Sequence, residues 1–286
     1  MTNADEQKRK DGLTDVERIL RDCLPRPPRL VEVRTTNVWI IEWLSPGERH
    51  TGRLLHEWID ERRPGWSAYR SCGSKAGVIQ AIQEATTRAR TLQMVPILHL
   101  ESHGSRDGLA PDRDCSAVLT WDELIAPLQQ LNVATGCNLV VFVAACTGIA
   151  GILALTKGPR APAVVLVGPA ATLSPSELLW GAKEFYRRWQ DKDARLADIA
   201  ESASREAGSV DIDWQPFTAL AYDALLNRLA LCCRRGEGRL NALPPAWVLQ
   251  QVWDEMFMID LYPSNRERFG LDMKVITERI RGAGLG

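Results

Sequence analysis

NLVVFVA, residues 138–144, is the most β-prone stretch of the chain, and it runs directly into Ala145-Cys146-Thr147-Gly148. Valines and a phenylalanine follow one another without polar alternation, which describes a strand covered on both faces. Three other runs read the same way. VPILHL (95–100) passes straight into Glu101-Ser102-His103-Gly104, VWIIEWL (38–44) stops before Pro46-Gly47, and Ala163 to Val167 is wholly apolar. Ser67 to Cys72 adds a short strand.

Helical periodicity fills the gaps between these strands. Thr51 to Arg62 places Leu54, Leu55, Trp58 and Ile59 at helical spacing, and Gly77 to Leu92 collects Val78, Ile79, Ile82 and Ala85 on one face. Thr120 caps a helix through Leu131, with Glu123 at the capping-box position. Thr147 to Thr156 reads as a short helix. Ser174-Pro175-Ser176-Glu177 opens another, which continues through Phe185, Tyr186 and Trp189. Buried strands alternating with helices predict an α/β fold, a mostly parallel sheet sandwiched by helices. Sites in such sheets lie at the carboxyl ends of the strands. His103 and Cys146, each just past a predicted strand, should therefore share one edge.

Outside this block the signals weaken. Residues 1–12 are polar and charged, Thr14 to Leu24 reads as a short capped helix, and Pro25-Arg26-Pro27-Pro28 cannot extend it. From about residue 195 the pattern is helical, with apolar helices at Phe217 to Cys233 and Trp247 to Leu261. The second of these is rich in aromatics and Met, so it serves as core or as a docking face. The expected organisation is an N-terminal segment (1–30), a catalytic domain (31–194) and a helical C-terminal extension (195–286) packed on it.

Composition narrows the function classes. A net charge of −1 provides no basic excess for nucleic acid or an anionic membrane. The pairs Arg187–Arg188 and Arg234–Arg235 read as solvated faces. No apolar run reaches the length of a membrane span, and the start lacks the apolar core of a signal peptide. Seven cysteines without a CxxC pair point to free thiols in a reducing cytoplasm.

Cys146 stands apart from the other six. A nucleophilic thiol needs a base to take its proton and donors to hold the oxyanion formed on attack. His103 supplies the base, and Gly104 lets a backbone N–H approach a substrate carbonyl. The N–H of Cys146 is the second donor, and a helix N-terminus behind it favours the thiolate. His99, Glu101 and His103 share a strand face, yet His-x-Glu-x-His is not a zinc-protease spacing, so no metal is expected and no cofactor is required. His99 reads as a packed, hydrogen-bonded strand residue, and His50 and His56 as surface residues. Cys115, in the loop after His103, reads as passive.

The segments ILHLESHG (97–104), LTWDELIAPL (119–128), LVVFVAACTG (139–148) and VVLVGPAATLSPSELLWGAKEFYRRW (164–189) together resemble the caspase-like (clan CD) cysteine peptidases, closest to the bacterial CHAT-domain branch. That resemblance spans about residues 38–190. It implies a thiol protease with a His103/Cys146 dyad and Gly104 at the oxyanion. It further implies that Ala144, two before the nucleophile, lines the pocket for the residue preceding the cut, with Thr172 and Ser174 on the following loop. An alanine there offers no counter-charge for arginine or lysine, so a small or apolar preference is expected. Relatives of this branch act in bacterial antiviral defence, cleaving a protein partner such as a gasdermin-like pore former, sometimes on the signal of an activating partner. A non-catalytic adaptor on the same fold, and a thiol hydrolase or acyltransferase with a non-peptide substrate, are the alternatives.

Overall fold

The structure, a computed structural model, describes residues 33–151, 160–191, 195–208, 212–216, 246–270 and 278. The predicted helices at Thr14–Leu24 and Phe217–Cys233 and the proline elbow lie outside those residues. Contacts divide the chain into two units, Leu30–Phe217 and a second made of Met1–Arg29 with Thr218–Gly286. The expected break after residue 194 thus falls too early, because the next two elements complete the sheet unit.

In that unit the elements are β1 (Asn37–Trp43), α1 (Thr51–Arg62), β2 (Ser67–Ser71), α2 (Lys75–Leu92) and β3 (Pro96–Gly104). A small ribbon follows, β4 (Gly108–Ala110) and β5 (Leu119–Thr120), then α3 (Trp121–Ala134) and β6 (Val140–Ala144). A 3-10 turn (Gly148–Gly151), β7 (Val165–Pro169), α4 (Pro175–Trp189), α5 (Leu196–Glu206) and β8 (Ile212–Pro216) complete it. Strand order is β2-β1-β3-β6-β7-β8. All neighbours are parallel except β8, which runs antiparallel to β7 at the edge. The α/β class and the mostly parallel sheet agree with the sequence reading.

Strand periodicity sorts the helices. Glu42, His99 and Phe142 face α1 and α4, whereas Trp39 faces α2, whose Arg88 lies over its indole. Both capping boxes form, Thr120 with Glu123 and Ser174 with Glu177, so α3 and α4 start where the residue pattern requires. Two boundaries differ from expectation. β3 extends through Gly104 because β4 pairs antiparallel with its last residues, His103 with Ala110 and Gly104 with Leu109. His103 therefore sits inside the strand rather than after it. Behind Cys146 only a 3-10 turn is described, and the rest of the predicted helix lies outside the described residues.

The second unit contains α6 (Ala246–Met256) and α7 (Asn265–Phe269). Trp253, Phe257 and Phe269 stack with centroids 4.6 and 4.9 Å apart, and Met256, Met258 and Ile259 are buried with them. Within the aromatic, Met-rich segment, Trp253 and Met256 to Ile259 are core. Among the described residues no helix is long and apolar enough to cross a membrane.

At the centre of the sheet Phe142 packs on His99 (5.0 Å), Phe185 (4.9 Å) and Tyr186 (5.9 Å). A Phe142→Ala substitution opens a cavity between β6 and α4 and should cost about 3–5 kcal/mol, measured as a lowered urea midpoint with unchanged slope.

Candidate active site

Four strand ends (β1, β3, β6 and β7) and their loops close around a cleft of about 490 Å³. His103, Gly104 and Cys146 line it, together with Thr172 and Ser174, so five of the six residues singled out from sequence meet there. Ala144 does not. Its side chain is wholly buried, and the neighbour that reaches the cleft from the same register position is Glu101 on β3. The argument for a small or apolar pocket therefore loses its residue.

The Ala-Cys-x-Gly sequence forms a tight reversal. Gly148 N–H donates to Ala145 O at 2.9 Å, and a Cβ on Gly148 would lie 2.7 Å from Val143 O, so only glycine fits. Thr147 carries a φ of +52°, a left-handed conformation disfavoured for a β-branched residue, and its N–H is held by Ala171 O at 3.1 Å. This kinked backbone lifts Cys146 out of the sheet plane. The thiol is half-buried and makes a weak contact to Leu173 O at 3.7 Å.

Gly104 answers from β3. A Cβ there would lie 2.8 Å from Ala145 Cβ and 3.1 Å from Cys146 N, so the two backbones touch. The β4 ladder also orients its amide. Ser105 N–H donates to Gly108 O, which makes Gly104 opposite Leu109 a non-hydrogen-bonded pair whose N–H points away from β4. It points to the β6 side, where Cys146 lies. The Cys146 N–H donates to no group among the described residues. Among the described residues neither amide has an acceptor, and the two backbones touch next to the thiol, an arrangement suited to an oxyanion.

His103 has a neighbour that the sequence reading missed. Glu48, in the loop between β1 and α1, brings Oε1 to 3.3 Å from His103 Nε2. The alignment is not that of a hydrogen bond, and Nε2 is enclosed without another partner. With Nε2 turned to the carboxylate, Nδ1 is the ring nitrogen left for chemistry in the cleft. Arg49, Arg113 and Cys115 stand exposed at the rim, and Arg49 donates to Ser176 Oγ at 2.6 Å.

Beneath the cleft lies a buried polar network. Glu42 and Glu101 are register neighbours under the N-terminus of α1. Glu42 accepts from Gly52 N–H (2.7 Å), from Tyr69 O–H and from His50 Nδ1 (2.7 Å). Burial, reinforced by that bond to Glu42, pushes the Tyr69 hydroxyl pKa up. Glu101 accepts from Thr51 O–H at 2.7 Å and meets His99 Nε2 at 3.1 Å, while His99 Nδ1 meets Tyr186 O–H at 3.0 Å. His99 is thus the packed, hydrogen-bonded residue expected. His50 and His56 are not plain surface residues. Each is half-buried, the former on Glu42 and the latter on Ser67 Oγ at 2.8 Å, stacked against Tyr69. The four described cysteines, Cys72, Cys115, Cys137 and Cys146, are free thiols.

Glu48 follows a Pro-Gly turn and Glu101 sits two residues before His103. The strand adjacency that brings Glu48 to the histidine is not written in local sequence. Compared with known proteins, the chain matches no family model and no curated protein.

Gly104→Ala drives a methyl into the Cys146 backbone. It should destabilise the unit by about 1–3 kcal/mol in chemical denaturation and alter the rate at which Cys146 reacts with iodoacetamide.

Proposed function

We propose that the protein is a cysteine endopeptidase of caspase-like fold, with His103 and Cys146 as its dyad. One observation carries the reading: a histidine and a cysteine open into the same cleft beside two amide N–H groups that have no acceptor among the described residues. In the reaction His103 takes the Cys146 proton and the thiolate attacks the carbonyl carbon of a peptide bond. The N–H groups of Gly104 and Cys146 hold the tetrahedral oxyanion. Collapse breaks the C–N bond as His103 protonates the departing amine, leaving a thioester on Cys146. His103 then activates water, which adds to the thioester, and the acid leaves as the thiol is restored. Glu48 holds the imidazole in register and balances the charge it gains. No step calls for a cofactor or a metal.

The cleft is open at the rim and suits an extended segment of a protein substrate. The resemblance to CHAT-domain proteases supports a cytoplasmic role in bacterial antiviral defence, with a gasdermin-like pore former as substrate and a separate activating partner. Co-expression with the products of neighbouring genes tests this part, and a Cys146-dependent cut in one of them is the expected result.

Cys146→Ala should abolish peptide cleavage and thiol-probe labelling together, and His103→Ala should lower both by at least about 10²-fold. Labelling at Cys146 with no cleavage of any peptide or protein would instead favour a non-peptide substrate, and reactivity unchanged in His103→Ala rules out the dyad. Glu48→Gln should lower kcat by at least about tenfold while leaving KM nearly unchanged, measured by steady-state cleavage of a peptide substrate.

A further inference from the structure

Glu101 is a carboxylate beneath the cleft that meets no lysine or arginine among the described residues. The hydrogen-bond inventory around it fixes the protons. Tyr186 is fully enclosed, and its hydroxyl meets no polar group among the described residues except His99 Nδ1, 3.0 Å away. Burial, with the nearby charge of Glu101, pushes the Tyr186 pKa up, so the hydroxyl keeps its proton and donates it to Nδ1. An accepting Nδ1 sets the tautomer. Nε2 then carries the hydrogen and donates it to Glu101 Oε2 at 3.1 Å. Thr51 O–H supplies the other donor, to Oε1.

A carboxylate has about four acceptor positions, and two of these are filled. Glu42, the neighbour on β1, brings a second carboxylate and spends its own donors, His50 included, on itself. Among the described residues no lysine or arginine forms an ion pair with either carboxylate, so no permanent cation answers them. Glu101 is about 5% exposed, and the part that shows is a wall of the cleft, on the same strand face as His103 two residues on.

We infer that Glu101 sets the specificity of the cleft by binding the guanidinium or ammonium group of a basic substrate residue next to the cut bond. This rests on the protease reading. It replaces the small or apolar preference expected from Ala144, which does not reach the cleft. The rim arginines Arg49 and Arg113 offer the opposite choice, an acidic side chain. They are exposed, so water and salt screen them, whereas Glu101 acts from a nearly enclosed position where charge is screened least.

The test uses three peptidyl acyloxymethyl ketones that differ only in the side chain beside the reactive ketone: arginine, leucine or aspartate. The rate of covalent modification of Cys146 is read by mass spectrometry on the full chain and on Glu101→Gln, with iodoacetamide labelling and circular dichroism as controls for folding. The arginine probe should react at least about tenfold faster than the leucine probe in the full chain, and the ratio should fall to near one in Glu101→Gln. A faster leucine or aspartate probe overturns the inference, as does an arginine preference that survives Glu101→Gln. Should Glu101→Gln not fold, the ranking of the three probes on the unaltered chain decides. If iodoacetamide modifies Cys146 and none of the three probes does, the protease reading itself falls and takes this inference with it.

Discussion

Two carboxylates buried side by side on a sheet face set the terms for the rest of the site. Placing Glu42 and Glu101 in that position costs several kcal/mol per ion unless donors surround them. The donors come from elements that must then be held in place: Thr51 and Gly52 at the start of α1, His50 just before it, Tyr69 on β2, and His99 on β3. The helix dipole adds a favourable field at the same end. Gly52 is required there, because a Cβ would lie 3.0 Å from Glu42 Oε1 and 3.3 Å from Glu101 Cβ. Once α1 is anchored on the carboxylates, the loop from Ser45 to His50 is tied at both ends, the first by Ser45 N–H to Pro111 O at 2.8 Å. That tether delivers Glu48 to His103. The acidic pair thus organises the surroundings of His103 without touching the Cys146 thiol.

The second half of the site depends on backbone contact instead of charge. β3 and β6 run parallel in register from Ile97–Val140 to Glu101–Ala144, and then their ends diverge in function. β3 gains an antiparallel partner in β4, which turns the Gly104 amide toward β6. β6 breaks into the reversal at Cys146, with Thr147 in a left-handed conformation and Gly148 folded back on Val143. Each glycine is there because another backbone occupies the space of its Cβ. His-Gly and Cys-x-Gly are therefore two faces of one packing constraint.

Much of this was legible in sequence, for definable reasons. Continuous apolar runs located β1, β3, β6 and β7, and capping boxes located α3 and α4, because each signal is local and acts through its own few residues. His103, Gly104 and Cys146 followed from their place at strand ends. What failed was relational. β8 is five residues long and ends in proline, so it reads as a strand only beside β7. Glu48 and Glu101 gain meaning from strand order, since β1 and β6 flank β3 in space while lying far apart in the chain. Ala144 was placed in the pocket by analogy of position. Ala144 and its register partner Glu101 share one sheet face, but the short alanine side chain stays buried while the longer glutamate reaches the cleft.

The distribution of unmet hydrogen bonds separates a working site from a structural one. Buried polar atoms in folded proteins nearly always find partners, because each one left alone costs about 1–3 kcal/mol. Among the described residues four buried side-chain atoms lack a partner, and two of them, His103 Nε2 and Thr147 Oγ1, flank Cys146 and its base. The Cys146 amide joins them as an idle donor. His99, two turns of the pleat earlier, is different, with a partner on each nitrogen. Concentrating unmet donors and a strained threonine around one thiol lowers the stability of the free protein, and the aromatic packing of Phe142, Phe185 and Tyr186 offsets that cost from the sheet centre. On the proposed reading such a cost is recovered when a ligand with a matching oxygen and an extended backbone enters the cleft.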